Sequence, residues 1–303
     1  VAEQDEKHRV STPSVDTGLP AVVVVGEVLW DVFDTSERLG GAPLNFAARA
    51  RQLGHRVELI SALGADERGH KARKAIAALC IDSRWLQTRT SLPTGTAKVR
   101  LDSSGSAEFT IERPAAWDTL ELSPQDLARL SATAPGWLYY GTLFASMPTG
   151  RRVLDSLLCA LGQSLKFYDL NLRPGADAPA LVTALMSVAD VVKLNESELE
   201  RVQAFTGLPA DLESFCRAAS NRFGWRAVSV SRAGRGSVIL ANGEFAEAPA
   251  VPVTVVDTVG AGDAYAAAML HGLCHGWSAA DIAAFANGAG AAVAAQSASL
   301  PAY

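Results

Sequence analysis

The sequence predicts an α/β protein, with a mostly parallel sheet covered by helices on both faces and a small β-sheet lid. Two observations predict this class. Short apolar strand patterns alternate with helical ones along most of the chain, as crossover-connected parallel strands require. One stretch, residues 94–114, breaks that rhythm with a period of two and so stands off the main sheet. The 303 residues are 49% hydrophobic and 19% charged, which allows one large core.

The elements follow in chain order. Residues 1–19 are polar without an apolar stretch and read as a flexible tail, and residues 20–303 read as a single domain. Val22 to Val25 is uniformly apolar and ends at Gly26, as a strand buried on both faces does. Val28 to Phe33 continues as strand, and a turn at Thr35-Ser36-Glu37 leads to Gly40-Gly41. Asn45 to Leu53 reads as a helix stopped by Gly54. Val57 to Leu63 is strand and Arg68 to Leu79 helix.

Ala97, Val99 and Leu101 alternate with charged residues, and after Ser103-Ser104-Gly105-Ser106 so do Phe109 and Ile111. This hairpin joins the early strands in a lid spanning about 28–42 and 94–114. Its apolar face needs cover from the site below or from a second subunit, so a homodimer through the lid is expected. Strand and helix then alternate as Trp137–Tyr140 with Arg151–Leu161, Lys166–Leu170 with Ala178–Val188, and Val191–Leu194 with Glu196–Phe205. Ala227–Ser231 and the β-branched run Val251 to Val256 complete the strands, and Ala264 to Gly272 is helical.

Composition excludes several functions. The net charge is −5 and no basic cluster appears, which argues against nucleic acid and anionic membranes as partners. No run approaches the ~20 apolar residues of a spanning helix. Cys80, Cys159, Cys216 and Cys274 form no CxxC pair and read as buried free thiols in a reducing cytoplasm. The histidines lack metal spacing, and no Gly-x-Ser-x-Gly elbow occurs.

Chemistry concentrates at Asp257-Thr258-Val259-Gly260-Ala261-Gly262-Asp263. A Gly-Ala-Gly turn at a helix start presents bare backbone N–H groups at the positive end of the dipole, which suits a phosphate. Asp263 would repel such an anion unless it acts as a base beside a phosphoryl group. A plain glycine turn with a first-turn acid is the alternative. A Rossmann fingerprint would need Gly where Tyr265 stands, and a P-loop would need Gly-Lys-Ser/Thr.

Further candidates stand elsewhere. In Gly40-Gly41-Ala42-Pro43-Leu44-Asn45, the glycines allow close approach and Asn45 offers donors and an acceptor, unless it is an N-cap. Asn195-Glu196-Ser197-Glu198 is a capping box, or a Mg²⁺ site in which Glu198 acts through waters. Asp31 on an early strand suits sugar hydroxyls, and Asn171 and Arg173 follow a strand end where parallel sheets bind ligands. Trp30, Phe109 and Trp117 either pack the lid and core or stack a base.

Together these pieces resemble the ribokinase-like (phosphofructokinase-B type) sugar kinases, from about Val22 to about Ser299. One family signature covers Gly40 to Ala47, with Gly54 and Gly64 beyond it, and the other runs from Asp257 to Leu270. Asn195 and Glu198 match the family's Asn-x-x-Glu motif. The resemblance implies a ribokinase-like three-layer α/β/α core. It implies Asp263 as catalytic base and Gly260, Ala261 and Gly262 as anion hole. Asn195 and Glu198 would organise Mg²⁺ and phosphates, and Asp31, Gly41 and Asn45 would hold the sugar. Ser231, Ala233, Gly234 and Gly236 resemble the loop that contacts ATP, with Ala233 replacing a glycine. Asn287 resembles the adenine-side residue, and Asp257 would flank a monovalent cation such as K⁺.

Gly26 to Asp31 and Asp169 to Pro174 resemble fructokinases and 2-keto-3-deoxygluconate kinases most. Asp31 suits a neutral sugar better than a sugar phosphate. The expectation is phosphoryl transfer from ATP to a primary hydroxyl of a free sugar, fructose first. A nucleoside kinase and a catalytically silent sugar or nucleotide sensor are the competing readings.

Overall fold

The computed structural model describes residues 18–101, 107–297 and 299–301. Most of the expected tail and the turn at 102–106 lie outside the described residues. The strands are β1 (Val22–Val25), β2 (Leu29–Val32), β3 (Glu37–Gly40), β4 (Val57–Gly64), β5 (Leu86–Arg89), β6 (Gly95–Leu101) and β7 (Ala107–Glu112). They continue as β8 (Trp137–Gly141), β9 (Leu165–Asp169), β10 (Val191–Asn195), β11 (Ala227–Ser231), β12 (Ser237–Ala241) and β13 (Glu244–Ala248). The helices are α1 (Ala42–Gln52), α2 (Glu67–Ala78), α3 (Pro124–Ala132), α4 (Thr142–Ala145) and α5 (Pro148–Ala160). Then come α6 (Pro179–Met186), α7 (Glu196–Thr206), α8 (Leu212–Phe223), α9 (Ala261–Cys274) and α10 (Ala279–Ala294).

The main sheet has nine strands in the order β13-β12-β11-β10-β9-β8-β1-β4-β5. It is parallel from β11 to β5, and antiparallel only at β11–β12 and β12–β13. β1 shows why it has three layers. Val23 and Val25 belong to one buried cluster with side chains of α3, α5, α6, α7 and α8. Val22 and Val24 belong to a second, with α1, α2, α9 and α10. All four valines are fully buried, which contributes roughly 1.5–3 kcal/mol apiece.

β3-β2-β6-β7 forms the separate small sheet that the period-two pattern predicted. The chain leaves β1 toward β4 on one side and returns through β8 on the other, so the strand order diverges between β1 and β8. A ligand crevice forms at the carboxyl ends there.

Three expectations need correction. Residues 251–256 are not a strand. Their partner is a helix end, since Val256 and Asp257 both donate N–H to Ala294 O. The β12–β13 hairpin was missed although Asn242-Gly243 supplies its turn, with both residues at positive φ (51° and 82°). Of the four cysteines only Cys216 is buried, whereas Cys80 and Cys159 are exposed because they sit at helix ends facing solvent.

Candidate active site

A cavity of about 940 Å³ opens where the carboxyl ends of the parallel strands, the lid and the start of α9 meet. Gly260 caps α9 in the left-handed region, at φ 81°. A Cβ there would lie 2.6 Å from the Ser299 Cβ, so only glycine fits. Thr258 O takes the Ala261 N–H at 3.2 Å, while the Gly262 and Asp263 amides have no backbone acceptor among the described residues. The turn thus presents free donors at the positive end of a 14-residue helix.

Asp263 lies on the first turn of α9 and is only 9% exposed. It accepts a hydrogen bond from Asn45 Nδ2 at 2.9 Å. Its carboxyl is pushed up to about 6, chiefly by burial and then by Asp169, against the Asn45 bond, Lys193 and Arg173. Asn45 is not an N-cap. α1 starts at Ala42 with Gly41 as its cap, and the Asn45 N–H bonds Gly41 O at 2.9 Å. The side-chain Oδ1 of Asn45 is buried without a protein partner, on a residue that lines the cavity.

The lid end of the cavity is acidic. Asp31 on β2 is 4% exposed and pushed up to about 7, by burial first and then by Asp263. Gly41, at φ 103°, has no room for a Cβ against Glu27 O. Asn171 and Arg173 also line this end, and the Arg173 guanidinium lies 5.4 Å from the Phe109 ring centre on the lid. Ala97, Phe109 and Ile111 turn the apolar lid face onto the cavity. Trp30 and Trp117 do not line it. Trp30 donates to Arg68 O, and Trp117 is fully buried beneath the Arg113 guanidinium.

The opposite end is open and partly apolar. Val251, Val253 and Val255 form one wall, which explains a β-branched run that no sheet uses. Ser231, Ala233, Gly234 and Gly236 form another wall. Ala233 takes the left-handed conformation of the glycine it replaces, at φ 49°. Asn287 also lines the cavity, but both its Nδ2 bonds are structural, to Ala248 O and Pro249 O.

Two charged residues went unnoticed in the sequence. Glu27, 5% exposed at the end of β1, borders the cavity and is pushed up to about 7, chiefly by burial. Lys193 lies on β10, 5% exposed, with Nζ 3.0 Å from Asp169 Oδ1. Burial alone would lower its pKa, but Asp169, Glu198 and Asp263 outweigh that and hold the ammonium charged. A Cβ on Gly262 would be 3.2 Å from Nζ, so this cation sits at the turn. A lysine inside the otherwise apolar Val191–Leu194 run was the available signal.

The expected metal positions look different. Asn195 lines the cavity and also caps α7, accepting the Glu198 N–H at 3.0 Å. Glu198 does not line the cavity. Its two oxygens accept the N–H groups of Leu172 and Asn195, both at 2.8 Å, so it braces two loops and does not fit as a direct Mg²⁺ ligand. No cluster of three acidic, His or Cys side chains could cage an ion among the described residues. Asp257, the expected flank of a monovalent cation, is paired with Arg38.

The pfkB family carbohydrate kinase model matches residues 19–301. The chain belongs to that family. It is a phosphotransferase with a hydroxyl acceptor. It is 31% identical over 267 residues to a fructokinase of Klebsiella pneumoniae, covering 84% of each chain. It superposes on a fructokinase of Xylella fastidiosa with bound ATP at TM-score 0.81 and 21% identity, over 92% of this chain and 94% of that one. A double-mutant fructokinase of Vibrio cholerae with fructose, ADP and a potassium ion bound gives TM-score 0.78 and 22% identity, over 94% and 95%. No described helix is long and apolar enough to cross a membrane.

Proposed function

We propose that this chain transfers the γ-phosphoryl group of ATP to a primary hydroxyl of a free sugar, with fructose as the leading candidate. The observation that carries this reading is the position of Asp263. It belongs at once to the anion-binding turn and, through Asn45, to the acidic end under the lid. A carboxyl pushed up to about 6 is mostly ionised at pH 7 yet basic enough to take a hydroxyl proton.

The sugar lies between the lid and α1, with hydroxyls on Asp31, the Asn45 Oδ1, Glu27 and Asn171. The Gly41 backbone allows its close approach, and Arg173 closes the side. ATP lies along the open half, its base against the valine wall and its ribose and phosphates along Ser231–Gly236 and Asn195. The sugar oxygen attacks the γ-phosphorus as Asp263 removes its proton. The bond to the bridging oxygen breaks, and ADP departs with the electron pair. Turn amides and Lys193 offset the charge that spreads over the phosphoryl oxygens. Mg²⁺ would enter with the ATP phosphates and supply further charge neutralisation there. The apolar lid face keeps water from the phosphoryl group.

Arg173 favours one second reading. A guanidinium at the acceptor end would pair with the carboxylate of 2-keto-3-deoxygluconate. A nucleoside acceptor is less well supported, because of the three candidate aromatics only Phe109 borders the cavity. A silent sensor would have no need of Asp263. ADP release across fructose, 2-keto-3-deoxygluconate, ribose and adenosine tests the choice. Fructose should give the highest kcat/KM, and a higher value for any of the others would replace it. ATP as co-substrate favours the cytoplasm, and the open edges of β3 and β7 favour pairing of two lids in a homodimer. Sizing in solution tests that pairing.

A further inference from the structure

Arg38 lies on lid strand β3, directly opposite Asp31 of β2. Its guanidinium leaves the lid and pairs with Asp257 Oδ2 at 2.5 Å. The guanidinium carbon is also 4.8 Å from the Phe33 ring centre, a second hold on the same group. The other carboxylate oxygen, Oδ1, accepts the Val259 N–H at 2.9 Å. Asp257 therefore has one oxygen on its own turn and one on the lid. Across that turn, Gly260 packs against Ser299, whose carbonyl accepts Arg49 at 2.9 Å. Asp257 Oδ2 and the Ser299 carbonyl, on either side of the turn, are thus each committed to a guanidinium.

We propose that Arg38 is a positioning residue that holds the phosphoryl-binding turn from the lid, as a built-in cation that makes turnover independent of potassium. This rests on residues 257–263 being that turn. A bare Asp257 carboxylate would repel an incoming phosphoryl group and leave the turn held on one side only. A monovalent ion can remedy both faults, but it dissociates. Arg38 remedies both from within the chain, and its charge is permanent. Potassium could reach Asp257 only by displacing the guanidinium or by sitting beside a like charge.

The attachment has a second consequence. Arg38 travels with the strand that faces the sugar, so acceptor binding and turn geometry share one rigid hairpin. Asp31 senses both partners, since Asp257 raises its pKa and Arg38 lowers it.

The pair is half-exposed, at 37% and 20%, so its loss should hardly affect global stability. The test measures turnover with MgATP and sugar in KCl, NaCl or choline chloride at equal ionic strength, and thermal midpoints in the same salts without substrate. Wild-type kcat should agree within about twofold across the salts, and midpoints within about 1 °C. Arg38→Ala should lose about tenfold or more in kcat with sugar KM changed less than about threefold. Dilute guanidinium chloride should restore part of that loss, and Arg38→Lys should retain more. The proposal is overturned by potassium stimulation of wild-type kcat beyond about fivefold, by a potassium-specific rise in the wild-type midpoint, or by full Arg38→Ala turnover in choline chloride. The midpoints require no turnover. A chain inactive on every sugar would refute the functional reading and still leave the cation site judged.

Discussion

Asp263→Asn should separate function from stability, gaining one as it loses the other. Asparagine keeps the shape and can still accept the Asn45 Nδ2–H bond, which is 2.9 Å in the wild type. It cannot take a hydroxyl proton. Loss of a general base predicts a fall of ~10²–10⁴ in kcat, about 3–5 kcal/mol of barrier.

The folded protein should gain. The Asp263 carboxyl moves from 3.8 to about 6 on folding, chiefly through burial, so at pH 8 the ionised group opposes folding. The displacement of roughly two units corresponds to about 3 kcal/mol at that pH. The sign follows from proton binding. The folded state holds this proton more tightly, so the group's contribution is most favourable below 3.8 and is lost as pH rises through about 6. At pH 4.5 the opposition falls to about 1 kcal/mol. The asparagine variant would escape it at every pH. For a chain of this size, about 3 kcal/mol is roughly 5 °C in Tm.

The assay is thermal melting of ligand-free wild type and variant at pH 8 and pH 4.5, beside steady-state turnover. A variant advantage at pH 8 that shrinks at pH 4.5, with turnover nearly lost, is the expected pair of results. Near-normal turnover, or a variant that melts below wild type at pH 8, would refute the reasoning.

Other expectations follow from the same site. The acid limb of kcat/KM should fall below pH about 6 as Asp263 takes a proton, with Glu27 and Asp31, each pushed to about 7, broadening it; a flat profile from pH 5 to 8 would contradict this. Lys193→Met strands the buried Asp169 carboxylate and should cost about 3–5 kcal/mol of stability along with most turnover. Adding Asp169→Asn should restore stability in chemical denaturation without restoring turnover. Gly260→Ala forces a side chain into φ 81° against Ser299, so kcat should drop by about tenfold or more while circular dichroism stays native.

How much of this was legible in the sequence depends on what each residue shows locally. β1 was clear because four valines before a glycine admit few other readings. Gly260, Asp263 and Asn45 were visible because glycines and polar groups stood where a helix should begin. Glu27 and Lys193 were not, because each is a single charge beside apolar strand residues. The cavity that both border, and the Asp169 partner of Lys193, are brought to them only by the fold. Residues 251–256 misled for a related reason. β-branched residues favour strands, and here they stand exposed along a cavity wall instead. The capping geometry of Asn195 and Glu198 followed from their spacing. What their spacing could not reveal is that the cap consumes both Glu198 oxygens.

The central claim is that one cavity moves a phosphoryl group from ATP onto a free sugar through Asp263. A single-turnover reaction with γ-labelled ATP and fructose, comparing wild type with Asp263→Asn, tests it most directly. The label should appear on the sugar in equal amount to the ADP formed, with the variant nearly silent. Label recovered as inorganic phosphate, ADP formation unchanged by sugar, or an equally active variant would contradict it.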